Sequence, residues 1–344
     1  LLAAWNGAAW SEVAGGINDE GFDQVYALGV APSGLVAGGN FRVMSDKLVW
    51  NVALLADGEW TALGKGVSSD FSDSPGKPYA LASDDAGNIY AGGDFTRLGG
   101  VPAKNIGMWD GTRWHNLGDA DGYVSALAIG NGFLFAGGNF TQIGGVSASH
   151  VAVMALDTGK WSALGSGING EVNALVYSDG ILYAGGAFKS AGNTTAEDVA
   201  WWDGAWHPFE GQYRIFEVGD KGGEVGTFVN ALAVVGNEVY IGGHFQTIQF
   251  GTNTQDLSSF VVVHNVVSWN RITQGWGWVG TGADPGVTTN GFSGFGTDVN
   301  ALAIVGNSLF VGGAFNKAGG QAVSGLARWD RAAEQWVSIE GSLG

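Results

Sequence analysis

The chain has no cysteine, only six prolines among 344 residues, few cations and no long apolar run. Without cysteine there are no disulfides, thiolate nucleophiles or zinc–thiolate sites, so packing has to supply the stability. That absence leaves the compartment open. Fifteen Lys plus Arg stand against 32 Asp plus Glu, a net charge of −17, which disfavours nucleic-acid backbones and anionic membrane surfaces as partners. No run of about 18 apolar residues is present, so no helix inserts directly into a membrane.

What the chain has is glycine, 61 residues of it, set in a repeat. The clearest copy is VNALAIVGNSLFVGGAF, Val299 to Phe315. Two short hydrophobic runs flank Gly306 and Asn307, the pattern of a β-hairpin. The Gly-Gly pair returns at 38–39, 92–93, 137–138, 185–186, 242–243 and 312–313, with a shortest interval of 45 residues. A second module, LARWDRAAEQW from Leu326 to Trp336, adds two strands around an Asp turn. Its counterparts end at Trp10, Trp60, Trp114, Trp161, Trp206 and Trp276.

Four short strands at a period of about 45 residues are the signature of a propeller blade. The expected fold is a single all-β domain, a β-propeller of four-stranded antiparallel blades. Seven blades with an incomplete first one is the favoured count, and six blades with an extra hairpin is the alternative. The half unit occupies residues 1–23. Six full units follow at about 24–77, 78–122, 123–170, 171–228, 229–298 and 299–344. Opening halfway through a repeat reads as a processed or excised piece of a longer protein or assembly. Ala and Gly belong on the crowded inner strands, and the Trp residues on the wider periphery as wedges between blades. Gly-Gly is then a packing device and implies no phosphate loop.

Long insertions interrupt the repeat at 64–77, 207–227, 246–260 and 277–298. All join strand two to three or one blade to the next, connections that share a face of a propeller. A scaffold loop usually lengthens for function, so the insertions of units four to six are expected to form a raised wall that binds a ligand. Glu210, Tyr213, Arg214, Phe216, Lys221, His244, Phe250, Asp256, Phe292 and Phe295 are its candidate ligand-binding residues, an aromatic and charged mixture typical of interfaces.

The strings VNALAVVGNEVYIGGHF and FTQIGGVSASHVAVMALDTGKWSALGSGINGEV resemble the kelch-like repeats of bacterial secreted and surface proteins and of fungal cortical-marker propellers. Those copies read roughly LYVGGxFTxxGGVxxxxIAxWDGxxWSALGxG. The resemblance covers nearly all of the chain outside the insertions. It implies a secreted or cell-surface setting and a recognition role, without naming a ligand.

Residue by residue, the chemistry is sparse. Asn40, Asp94, Asn139 and His244 follow Gly-Gly in their repeats and form a partial polar ring. His244 with Asp94 could make an acid–base or metal pair, although polar residues at strand ends usually cap backbone groups. His207, His244 and His264 fall near insertions, but lack the short ligand spacing of a zinc site. Asn173, Asn230, Asn300 and Ser125 share one position and are expected to satisfy backbone between blades. No catalytic residue, metal or cofactor is expected. The functional expectation is a module binding protein or glycan. An extracellular carbohydrate-active enzyme, a hydrolase or lyase, is the first alternative, and a structural subunit of a surface layer or filament the second.

Overall fold

Where two apolar runs are joined by residues that tolerate positive φ, the chain reverses into a tight hairpin. Asn131 and Gly132 (φ 50° and 79°) and Asp179 and Gly180 (51° and 83°) make such turns, matching the twist of the strands they connect. In the computed structural model, residues 2–17, 23–70, 76–209, 214–218, 224–245, 247–249, 260–280, 285–289 and 297–339 are described. Among them every regular element is a strand.

Six four-stranded antiparallel sheets run in chain order from strand one to strand four. The first comprises Gln24–Ala31, Gly34–Asn40, Val52–Ala56 and Glu59–Ala62. The second comprises Lys77–Ser83, Ile89–Asp94, Ile106–Trp109 and Trp114–Asn116. Val124–Gly130, Phe133–Gly138, Val151–Ala155 and Lys160–Ala163 make the third. These three lie in one compact unit, Leu1–Ile168, and the other three in a second, Asn169–Gly344. The fourth is Glu171–Ser178, Ile181–Ala187, Val199–Trp202 and Trp206–Pro208. The fifth is Phe228–Val235, Glu238–His244, Val266–Asn270 and Gly275–Trp278, and the sixth Asp298–Val305, Ser308–Ala314, Leu326–Asp330 and Gln335–Val337. A two-stranded hairpin, Ala3–Trp5 with Trp10–Glu12, precedes the first sheet. The architecture is all-β and propeller-like.

Within each unit the core lies between successive sheets. Val36, Val52 and Leu63 of the first repeat meet Ile89, Phe95 and Trp114 of the second, and Tyr90 and Ile106 meet Val124, Leu134 and Trp161. In the other unit, Tyr183 and Val199 pack with Val229, Val239 and Trp269, and Tyr240 and Val266 with Val299, Leu309 and Trp336. The tryptophans at the first or second position of strand four are buried at Trp60, Trp114, Trp161, Trp206 and Trp336.

The two glycines of each pair have different jobs. At Gly92, Gly185 and Gly242 the first lies under the next sheet, where a Cβ on Gly92 would come within 2.6 Å of Val124 Cγ1 and one on Gly242 would strike Val299, whereas one on Gly312 would meet only Ala301 of its own sheet at 3.8 Å. The second lies under its own strand one. A Cβ on Gly93, Gly138, Gly186 or Gly243 would collide with the carbonyl oxygen of Lys77, Tyr123, Glu171 or Phe228. That crowding occurs at a β-bulge present in strand one of all six sheets, which leaves Tyr26, Tyr79, Ser125, Asn173, Asn230 and Asn300 outside the ladder.

A third recurring device is a residue with left-handed backbone just before strand three: Asn51, Asn105, His150, Asp198, Asn265 and Gly325, with φ between 61° and 69°. Asn51 Oδ1 accepts from Phe41 N–H while its Nδ2 donates to Val67 O in the linker to the next sheet. Asn105 and Asn265 repeat this staple to Ala120 O and Val287 O. Satisfying backbone groups at both ends, these side chains lock strand two to the departing linker.

The division of labour is testable by urea unfolding. Gly92→Ala is expected to cost about 1–3 kcal/mol by overpacking, and Val124→Ala in that background should return part of it. Gly93→Ala is expected to cost more, with no relief from Val124→Ala, because the obstacle is backbone. Equal costs and equal rescue would contradict the assignment.

Candidate functional site

The linker entering a sheet and the loop joining its strands two and three meet as a small sheet. Val67–Ser68 pairs with Arg97–Leu98, which pairs with Val101–Pro102, and Val287–Thr288 pairs with Lys317–Ala318. At the fifth sheet both partners are lengthened. Arg214–Val218 pairs with Thr247–Gln249 through Arg214↔Gln249, Ile215↔Ile248 and Phe216↔Thr247. Glu224–Val225 and Phe260–Val262 complete a four-stranded accessory sheet on its two edges. The insertions 207–227 and 246–260 are thus joined by hydrogen bonding. Arg214 and Phe216 lie on the central strand, whereas Glu210, Tyr213, Lys221, Phe250, Asp256, Phe292 and Phe295 lie outside the described residues.

His244 ends strand Glu238–His244, just ahead of the second insertion. Its Nδ1 is 2.6 Å from Asp298 Oδ1 of the sixth sheet and 3.3 Å from Thr297 O. The ring stacks on Phe228, with centroids 5.2 Å apart and planes at 17°. The carboxylate beside this imidazole is Asp298. One bulge away runs a line of amides: Asn173 Nδ2 donates to Asn230 Oδ1 at 3.3 Å, and Asn230 Nδ2 to Asn300 Oδ1 at 3.2 Å. These asparagines bond to one another across three sheets, where backbone capping had been expected, because the bulge turns them out of the ladder.

The other unit carries aromatics at two of the corresponding bulges. Tyr26 and Tyr79 meet edge to face at 5.5 Å, and Tyr79 meets Tyr123 at 6.2 Å. Asn40 ends strand two of the first sheet and is half-buried, Asp94 ends that of the second and is exposed, and Asn139 lies just past that of the third. Asn139 Nδ2 is 3.4 Å from the Tyr123 hydroxyl.

One groove was not foreseen from the sequence. It has a volume of about 510 Å³ and is lined by Lys65, Val101, Trp109, Arg113, His115 and Asn116 among others. Trp114, tilted against Trp109 at 5.7 Å, is pinned by its indole N–H to Leu63 O. Asp110 accepts from the backbone N–H groups of Thr112 and Arg113 and lies 2.6 Å from His115 Nε2. The His115 contact and then the hydroxyl and amide donors hold its carboxyl well below the ordinary carboxylate range. The string WDGTRWH reads as a turn, and its usable signal was an arginine and a histidine flanking tryptophan in an acidic chain.

His207 stacks on Trp201 at 4.0 Å and lies 3.0 Å from Asp203, so it has partners of its own. His264 occupies a turn with φ 46°. Among the described residues no group of three His, Asp or Glu side chains could hold a metal ion.

No protein-family model matches the chain, and no curated protein matches it. Among solved structures it is similar to the computationally designed Ika8 protein, at 17% identity and a TM-score of 0.45, over 92% of this chain and 86% of that one.

The first insertion returns to the scaffold at a single carboxylate. Asp198 occupies the stapling position filled by Asn in three other sheets and is 1% exposed. Its Oδ1 accepts from Phe188 N–H and its Oδ2 from the Thr227 hydroxyl at 2.6 Å. Burial pushes the carboxyl up to about 6 from 3.8, outweighing the Thr227 hydrogen bond and the pull of Lys189. A carboxyl raised in the folded state contributes most at low pH, and that contribution is lost as pH climbs from about 4 through 6. Asp198→Asn should therefore be near-neutral at pH 4 and stabilising at pH 7.5 by up to about 3 kcal/mol. Urea midpoints at the two pH values test this, and an equal shift at both would show that Asp198 does not titrate in this range.

Proposed function

We propose that the protein is a recognition module of the kelch-like propeller type, secreted or displayed at a cell surface. In this reading its sheets close as a seven-bladed ring with an incomplete first blade, and the accessory sheet of the fifth repeat contacts a protein partner. The pairing of Arg214–Val218 with Thr247–Gln249 carries the proposal. Elsewhere the same junction is a two-residue pairing that serves the scaffold, so a four-stranded elaboration at one repeat exceeds what packing requires. Its outer strands offer backbone edges, which extended segments of partners can join. His244, which just precedes Thr247–Gln249 in the chain, is hydrogen-bonded to Asp298 and able to contribute polar contacts.

A glycan is the second reading, favoured by the groove at Trp109. An indole ring flanked by Asn116, Thr112 and Arg113 supplies the stacking surface and directional polar groups that sugar recognition uses. The net charge of −17 argues against nucleic acid under either reading.

The two readings separate by mutagenesis. Replacing the insertions 207–227 and 246–260 with the short linker and loop of the third repeat should leave the thermal midpoint of the scaffold close to its original value. Binding to a panel of surface-protein ectodomains should be lost, while Trp109→Ala should leave that binding intact and abolish signal on a glycan array. Undiminished ectodomain binding after loop replacement would refute the accessory sheet as the contact surface.

A further inference from the structure

At each described junction, one face of the later sheet is covered by the sheet before it. Val124, Leu127 and Ile129 pack into the cluster shared with the second sheet. Val229, Leu232 and Val234 do the same against the fourth, and Val299, Leu302 and Ile304 against the fifth. Val299 is fully buried and Leu232 is 7% exposed. The first sheet presents Val25, Leu28 and Val30 at the matching register, yet Leu28 is 54% and Val30 81% exposed.

The outer half of a preceding sheet is nevertheless in place. The hairpin Ala3–Trp5 with Trp10–Glu12 pairs Trp5 with Trp10, their rings tilted at 5.5 Å and 47°. Strands three and four of the complete sheets carry the same pair, as Trp109 with Trp114 at 5.7 Å and Trp329 with Trp336 at 5.4 Å. Leu2, Val13, Ala14 and Ile17 pack with Phe41, Met44 and Trp60 of the first repeat. Ile17 bridges to Met44 as Ala120 bridges to Ile143, so the linker also enters in the standard way.

Resting on the reading of an incomplete first blade, we propose that the face formed by Val25, Leu28 and Val30 is a seat for an inner β-hairpin of this same repeat. That hairpin would be joined to Ala3–Trp5 as Ser308–Ala314 is joined to Leu326–Asp330. The seat defines its occupant. Val25 takes a glycine beneath it, as Val124 takes Gly92, so the second strand of the occupant carries Gly-Gly. Leu28 and Val30 then take the small and branched apolar residues that the repeat places on its inner strands. Covering two exposed aliphatic side chains on a strand removes apolar surface from water, and continuity with the existing hairpin favours a segment of the same polypeptide over a second molecule.

The test fuses a copy of Asp298–Gly325 ahead of Leu2 and compares thermal unfolding with the chain as it stands. The fusion is expected to raise Tm by at least about 5 °C, with the copied strands resistant to limited proteolysis. Gly312→Val made only in the fused copy should abolish the gain. Leu28→Asp should abolish it too, while shifting Tm of the unextended chain by less than about 2 °C. No gain in Tm with rapid cleavage of the copied strands would overturn the proposal, as would a gain that survives both substitutions. Sedimentation of the unextended chain adds a third outcome, since a dimer dissolved by Leu28→Asp would make a second copy the occupant and overturn it as well.

Discussion

At three junctions between neighbouring sheets a valine methyl lies against a glycine, Val124 on Gly92, Val229 on Gly185 and Val299 on Gly242. Any side chain on those glycines would push the sheets apart, so the closest approach between repeats depends on the absence of a single carbon. The adjoining glycine is required for an unrelated reason. It lets strand one bulge inward until its carbonyl sits over the strand-two backbone, as Lys77 O does over Gly93. One dipeptide thereby serves packing between sheets and geometry within a sheet.

Much of the polar chemistry follows from that bulge. A residue pushed out of the ladder cannot pair with its neighbour strand and must find partners elsewhere. In the unit 169–344 the displaced residues are Asn173, Asn230 and Asn300, which bond to each other in sequence. In the unit 1–168 tyrosines at two of those positions meet edge to face. The residue before strand three does comparable work from the opposite direction, since its positive φ aims a side chain at both the preceding strand and the next linker. Asp198 is the carboxylate in that series, and it meets the Thr227 hydroxyl at the return of the insertion 207–227. The scaffold's own devices therefore reach up to the accessory sheet.

The sheets were legible because their signal is local. Gly-Gly at regular intervals, Gly-Asn turns and tryptophan-ended modules each mark a strand boundary within a few residues, and the four-strand order agrees with them. The opening hairpin was visible for the same reason, through Trp10. The bulges were hidden, because Asn230 and Tyr79 occupy extended-looking runs whose alternation gives no sign of a skipped residue. The accessory sheet was readable only as two long insertions, since pairing Phe216 with Thr247 depends on where the folded linkers arrive. The partnership of His244 with Asp298 was missed because equal positions in successive repeats were compared, whereas the contact joins the end of strand two to the start of the next strand one. The Trp109 groove escaped because its lining comes from separate stretches, 64–65, 98–101 and 109–116, that only the fold brings together.

The departures from the repeat are laid over a scaffold in which valine-on-glycine contacts join the second sheet to the third, the fourth to the fifth and the fifth to the sixth. The most direct check of that scaffold is a set of methyl-to-α-proton NOEs on protein with labelled valine methyls. The account predicts strong cross-peaks from Val124, Val229 and Val299 to the α-protons of Gly92, Gly185 and Gly242, respectively. Absence of these cross-peaks in a folded sample would contradict it.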